Sequence, residues 1–108
     1  MTYKTQYGEY NGCHFVTSRY ADNGNLALCI ENNEEGRIAI CTVNPGMPLG
    51  DNQIAVKDYS ENEGMDDFLK GEGLIGKLVG TIPSGWVNIP VYELTEKGRE
   101  LFKVNKGE

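Results

Sequence analysis

Residues 25–44 read NLALCIENNEEGRIAICTVN, two β-rich runs joined by a tight turn. Leu26, Leu28 and Ile30 alternate with Ala27 and Cys29, and Ile38 and Ile40 alternate with Ala39, Cys41 and Val43. Period-2 spacing with apolar residues on both faces predicts strands in the middle of a sheet. At the joint, Asn33-Glu34-Glu35-Gly36 places Asn at the first position of a type I turn and Gly where φ must be positive. That register puts Leu26, Leu28 and Ile30 on one face with Ile38 and Ile40.

Working outward, Asp22-Asn23-Gly24-Asn25 is the strongest hairpin signal, since Asn-Gly suits the two positive-φ positions of a type I′ turn. It joins the central run to Cys13–Ala21. Before that run, Asn11-Gly12 reads as a second two-residue turn, back to an edge strand or arm within Met1–Tyr10. On the other side, Pro45-Gly46 and Pro48 stop the fourth strand, and Gln53–Lys57 gives another short one. Ser60-Glu61-Asn62-Glu63 has the form of a capping box ahead of Met65, Phe68 and Leu69, an i, i+3, i+4 apolar stripe. The helix so defined ends at Gly71, with Gly64 as a weak point in its first turns. Lys77–Ile82 and Trp86–Leu94 form a hairpin around Pro83-Ser84-Gly85, with Pro90 marking an edge or a bulge. Thr95 caps a short C-terminal helix, Glu96–Lys103, anchored by Leu101 and Phe102.

The expected fold is therefore one α+β domain over residues 1–108. It is a mainly antiparallel sheet, an N-terminal meander plus a C-terminal hairpin, with one amphipathic helix packed across it and a short C-terminal helix. A chain of 108 residues is long enough for one core without metal or disulfide support. Cys13, Cys29 and Cys41 are odd in number and lack Cys-x-x-Cys spacing, and two sit within apolar alternation. With no signal peptide and no apolar run near the ~18 residues that span a bilayer, the expected setting is a reducing cytoplasm.

Sixteen acidic against ten basic residues give a formal charge of −6. Clustered Lys and Arg are absent from the sequence, which argues against direct nucleic-acid binding. The charge serves solubility on its plain reading; on the sharper one it forms an acidic face for a basic partner.

Several motifs lose to simpler explanations. Gly71-Glu72-Gly73-Leu74-Ile75-Gly76 matches G-x-G-x-x-G, and with Lys77 it matches the start of a phosphate-binding loop. Both need a strand before and a helix after, whereas a helix precedes this loop and a β-rich run follows. A helix C-cap and turn explain it better. Asp58, Ser60 and Asn62 imitate a calcium loop whose sixth and twelfth positions hold Glu63 and Leu69 instead of Gly and Glu. His14 stands alone without a signalled Ser or Cys partner, so no catalytic constellation, metal site or cofactor is expected.

Trp86 follows a glycine turn. Its favoured reading closes one end of the core; the alternative is a half-exposed ring on a binding surface that also includes Tyr59 and Tyr92. Tyr20, before the Asn-Gly turn, is open to the same alternative.

The segments RYADNGNLALCIENNEEGRIAICTVNPG, VKDYSENEGMDDFLKGEGLI and IPSGWVNIPVYEL resemble a family of small proteins of unknown function. That family is encoded on conjugative transposons, plasmids and prophages of mainly Gram-positive and gut bacteria. The similarity runs from about Phe15 to Leu94, with Tyr20-Ala21, Thr42-Val43-Asn44, Ser60–Glu63 and Pro83-Ser84-Gly85 as markers. It implies an accessory protein of a mobile element and carries over no catalytic residue.

Two functions follow as expectations. The first is a non-enzymatic protein that binds and modulates or inhibits a protein partner, such as a host-defence or nucleic-acid enzyme. Its contacts would be Asp58, Glu61, Glu63, Asp66, Asp67 and Glu72, which with Lys57 and Lys70 net −4. The second is a small-molecule, nucleotide-like binder near Trp86 and the Gly71–Gly76 loop, against which the scarcity of Lys and Arg counts. The chain is expected as a monomer, or as a homodimer paired through an open edge in Lys77–Leu94.

Overall fold

The computed structural model describes residues 1–5 and 7–106, with side chains to Lys103. The expected domain also includes Gln6, Gly107 and Glu108, which lie outside the described residues. In chain order the elements are β1 (Tyr3–Thr5), β2 (Gly8–Tyr10), β3 (His14–Arg19), β4 (Leu26–Asn32), β5 (Gly36–Ile40) and β6 (Gln53–Ala55). A 3-10 turn (Ser60–Asn62), α1 (Met65–Gly71), β7 (Ile75–Ser84), β8 (Val87–Leu94) and α2 (Glu96–Lys106) complete them. All strand pairs are antiparallel, so the fold is α+β as expected.

Two three-stranded sheets, β3-β4-β5 and β6-β8-β7, are joined where the chain continues past Ile40. Thr42 bridges Val56, Val43 N donates to Ala55 O (3.0 Å) and Lys57 N donates to Cys41 O (2.8 Å). Alternation then sends side chains to two apolar layers. Leu28 and Ile30 of β4, Ile54 and Val56, and Tyr92 and Leu94 of β8 face Met65 and Leu69 of α1 and Phe102 of α2. Ala55, Ile89 and Val91 point the other way, under Tyr59, Ile82 and Val87. The stripe expected on α1 is the one it buries, and Phe68 on the same helix meets the Tyr3 ring edge-on at 4.9 Å.

The register of β4 against β5 differs from the expected one. A shift between Ile30 and Glu31 pairs Ile30 with Ala39 and Cys29 with Ile40. Directly opposed residues share a face, so Ile40 lies with Cys29, opposite Leu28 and Ile30, and is 43% exposed. The turn also starts one residue earlier: Asn32 Oδ1, not Asn33, accepts the Glu35 amide at 2.7 Å.

Other turns show the same pattern of correct place and different partner. The hairpin at Asn23-Gly24 exists, but only Gly24 has positive φ, and Gly24 N donates to Tyr20 O in a wider turn than type I′. Its asparagines do more than turn the chain. Buried Asn25 donates to Asn44 Oδ1 and Met47 O and accepts from Leu49 N at 2.9 Å, which ties this hairpin to the loop before β6. Asn11-Gly12 closes no hairpin on Met1–Tyr10. That segment folds on itself as β1–β2, and Cys13 pairs with Met1 instead.

The capping box does not form. Ser60 sits in the 3-10 turn at φ +59, and its hydroxyl bonds no helix amide. The cap comes from Asp58, whose Oδ1 accepts from Gly64 N (2.8 Å) and Asp66 N (3.4 Å), so α1 starts at Met65. Gly64 has φ +93 and stands outside the helix, where a side chain would be strained. At the other end α1 stops at Gly71 as expected, and Gly73, at φ +77, is the left-handed residue that turns the chain away. Leu74 N bonds Leu69 O and Gly73 N bonds Lys70 O, the Schellman pattern.

Pro90 stands in β8, the middle strand of its sheet, and not at an edge; the bulge alternative fits, because the β7–β8 register shifts between Leu78 and Gly80, next to the Thr81–Pro90 pair. Its carbonyl accepts from Val56 N (3.0 Å), one rung beyond the end of β6, so the donor its ring lacks falls where that pairing stops. Thr95 caps α2 as expected: its Oγ1 accepts from Gly98 N (3.1 Å) and donates to Gly73 O (2.5 Å), fixing α2 to the α1–β7 loop.

Candidate functional site

The acidic stretch divides into carboxylates that serve the fold and carboxylates that face water. Asp58 caps α1, and burial pushes its carboxyl above the usual range even though two amides favour the charged form. Asp66 Oδ2 accepts from the Tyr92 hydroxyl at 3.0 Å. Glu61 Oε2 lies 2.6 Å from Lys57 Nζ, and that hydrogen bond, together with those from the Glu61 amide and the Ser60 side chain, holds its carboxyl down at about 2. Glu63 and Asp67 are exposed, and neither carboxylate has a hydrogen-bond or ion-pair partner among the described residues. Glu72 is half-buried at the end of α1, where its carbonyl accepts from Lys97 Nζ. Of the six candidate contact residues, three therefore have structural work, and two, Glu63 and Asp67, face water without a hydrogen bond or ion pair to the carboxylate among the described residues.

The Lys57–Glu61 pair gives a titration with a definite sign. Glu61 is depressed from 4.5 to about 2, so its contribution to stability is fully present above the unfolded-chain value and lost as pH falls through about 2. Lys57→Met is expected to raise Glu61 toward, but not fully to, its ordinary carboxylate range in a carbon-detected NMR titration, because the bonds from its own amide and the Ser60 side chain remain. Titration of Glu61 near 4.5 in the native chain would show that the pair does not form.

The aromatic candidates also separate. Tyr92 is 4% exposed, so it forms no surface; its ring lies in the core under Lys70 Nζ, 5.0 Å from the centroid. Burial raises its phenol above the usual range. Tyr59 is half-buried against the second apolar layer, with Lys57 Nζ 5.8 Å above its ring. Tyr20 is half-buried with its hydroxyl 3.2 Å from Thr42 Oγ1.

Trp86 does not close the core. Ser84 pairs with Val87, which leaves Gly85-Trp86 as a two-residue hairpin loop with φ +59 at Gly85, as a type II′ turn requires. The indole at the second loop position projects past both strands and is 104% exposed.

Beside it runs the open edge of β7. This strand pairs with β8 on one side and, among the described residues, with no strand on the other. Its burial alternation fails: Leu78 is 50% and Val79 47% exposed. Leu78 opposes Tyr92 and so lies on its face, yet on the outermost strand it stays half in water, and Val79 falls in the register shift between Leu78 and Gly80 with no residue directly opposite. Between Lys77 and Pro83 the edge reads LVGTI, uncharged and β-prone. The sequence showed the apolar run; it did not show that its outer edge is bare.

The remaining chemistry is quiet. Cys13, Cys29 and Cys41 are all free and buried, and burial pushes the Cys41 and Cys29 thiols up, away from reactivity. His14 is exposed opposite Glu31 at the start of β3. Among the described residues no group of three or more His, Cys, Asp or Glu side chains is placed to hold a metal. Nor, among them, is any helix long and apolar enough to cross a membrane. Comparison with protein-family models, with curated proteins and with solved structures found no match.

Proposed function

We propose that this chain is a non-catalytic binding protein that docks on a protein partner by adding an extended segment of that partner to the edge of β7. The observation that carries it is one feature: an edge strand, β7, whose outer side pairs with no strand among the described residues, with exposed Leu78 and Val79 and a wholly exposed Trp86 just beyond its end. Unpaired edge amides and carbonyls supply main-chain bonds to an added strand, and an exposed Trp is the side chain most enriched among residues that dominate binding energy. A soluble monomer normally blunts such an edge. Here only Lys77, Pro83 and the two bulges do so, and LVGTI between them is unprotected. Glu63 and Asp67 then act in approach rather than grip, steering a basic partner toward the molecule. An accessory protein of a mobile element, which the resemblance implies, would use such a module to occupy and modulate a host or element protein.

The test is native mass spectrometry on tagged protein recovered gently from the cells that make it. It compares the native chain with Trp86→Ala/Val79→Lys and with Glu63→Lys/Asp67→Lys, each checked for folding by circular dichroism. A stoichiometric protein complex should be lost in the first variant and kept in the second with a changed salt dependence. Retention by the β7 variant, or recovery of the native chain without a protein partner, overturns the reading.

A further inference from the structure

Arg19, Arg99 and Lys103 are far apart in the sequence, yet they line one cleft of about 530 Å³ between the β3–β4 end of the sheet and α2. We infer that this cleft binds a small hydroxylated phosphate monoester, of the size of a sugar phosphate or mononucleotide. None of its lining residues belongs to β7, so the inference stands or falls separately from the docking edge.

Three features point to that chemistry. The first is that the cations are available. In a chain with 16 carboxylate side chains, none of these three lies in an ion pair among the described residues. Arg19 Nη1 donates to Gly24 O (2.9 Å) and Arg99 Nη1 to Leu94 O (3.0 Å). Each guanidinium is thus anchored by one bond and keeps four of its five N–H donors, the fork that matches phosphate oxygens bidentately. Lys103 stands one turn beyond Arg99 on the same face of α2, adding an ammonium beside that fork.

The second feature is the pair of carboxylates, Asp51 and Glu100, that share the cleft. They leave the cations in excess by one, and they are acceptors that hydroxyl groups of a sugar would satisfy. A bare inorganic anion would not use them. The third is the floor, formed by Leu94 and Phe102, which offers apolar surface to a carbon skeleton, as small-molecule sites usually do. The volume is that of an ordinary small-molecule site.

The experiment is a two-dimensional amide and arginine-side-chain NMR titration of the full chain at constant ionic strength. The probes are ribose 5-phosphate, AMP and inorganic phosphate, with ribose and adenosine as uncharged controls. The expected result is saturable shifts at Arg19, Arg99 and Leu94 with ribose 5-phosphate or AMP. Inorganic phosphate should bind more weakly and the uncharged controls not at all. Arg99→Met and, independently, Lys103→Gln should each weaken binding about tenfold, the effect of losing one charge-assisted contact. The Lys103 side chain makes no hydrogen bond or ion pair among the described residues, so that variant tests the cleft even where Arg99→Met loosens α2. The inference is overturned by the absence of saturable shifts with both organic phosphates, by equal binding of adenosine, by shifts that map elsewhere, or by full affinity in Lys103→Gln.

Discussion

Leu28→Ala is expected to lower the unfolding free energy by about 3–5 kcal/mol, whereas Ile40→Ala, from the same β-rich stretch, should cost under about 1 kcal/mol. Leu28 is fully buried in β4, between neighbours on β3 and β5 and beneath α1 and α2. Truncation there removes transfer free energy and leaves a cavity, because the surrounding strands are tied by ladders and cannot collapse into it. The Leu28 backbone is held doubly, its amide donating to Thr42 Oγ1 (3.1 Å) and its carbonyl accepting from Cys41 N (2.8 Å), so the strand will not shift to fill the gap. Ile40 lies beyond the bulge on the other face and is partly in water already, so its loss removes little burial. Urea unfolding of the two variants reads the difference directly. Equal destabilisation would mean that the regular register, without the bulge, is the one the molecule adopts.

Gly98→Ala should also destabilise strongly, against the trend of helix propensity. In an open helix this change gains about 1 kcal/mol, since glycine is among the poorest helix formers. Gly98 is at the third position of α2, where its amide donates to the Thr95 cap. A Cβ added there would run into Leu74 O and lie 3.1 Å from Leu94 Cδ2. The first of these is a backbone oxygen that also accepts from Thr95 N (3.0 Å), so it cannot move without breaking the contact that docks α2. Overpacking of this kind costs about 1–3 kcal/mol or more, and here the helix must step away from Leu74, taking Phe102 out of the core. A net loss of about 2 kcal/mol corresponds to a melting temperature lower by roughly 10 °C for a domain of this size. Gly71→Ala is the control, because a Cβ there meets nothing within 4 Å. A Gly98→Ala chain as stable as the native one would show that α2 does not pack this closely.

Much of this arrangement is legible in the sequence, for a local reason. The Met65, Phe68, Leu69 stripe, the Thr95 cap and the strand runs all depend on residues a few positions apart. The same holds for the stop at Pro45-Gly46, where Gly46 has φ +82. Where the reading slipped, a second acceptor or donor of equal local merit was available. Asp58 replaced Ser60 as the cap of α1, Asn32 replaced Asn33 in the turn, and Gly73 took the left-handed position after the helix that ends at Gly71. Each choice was made by geometry two or more residues away.

The candidate site was less legible. Trp86 and Tyr92 both follow β-rich or turn signals, yet one is wholly in water and the other in the core, because burial depends on which layer lies opposite. The bare edge of β7 follows from strand order, and no local pattern encodes which strand ends a sheet. Arg19, Arg99 and Lys103 are scattered in a sequence whose charge suggests no cationic site; only the packing of α2 against β3 brings them together.

By itself, then, the sequence determined an antiparallel α+β protein with its central strands, the places of most of its turns and its main helix, because alternation and turn chemistry act over a few bonds. Only the tertiary structure decided which side chains meet and which strand edge stays open. Those outcomes rest on one-residue register shifts and on contacts between distant segments, whose free energies exist only once the layers have closed.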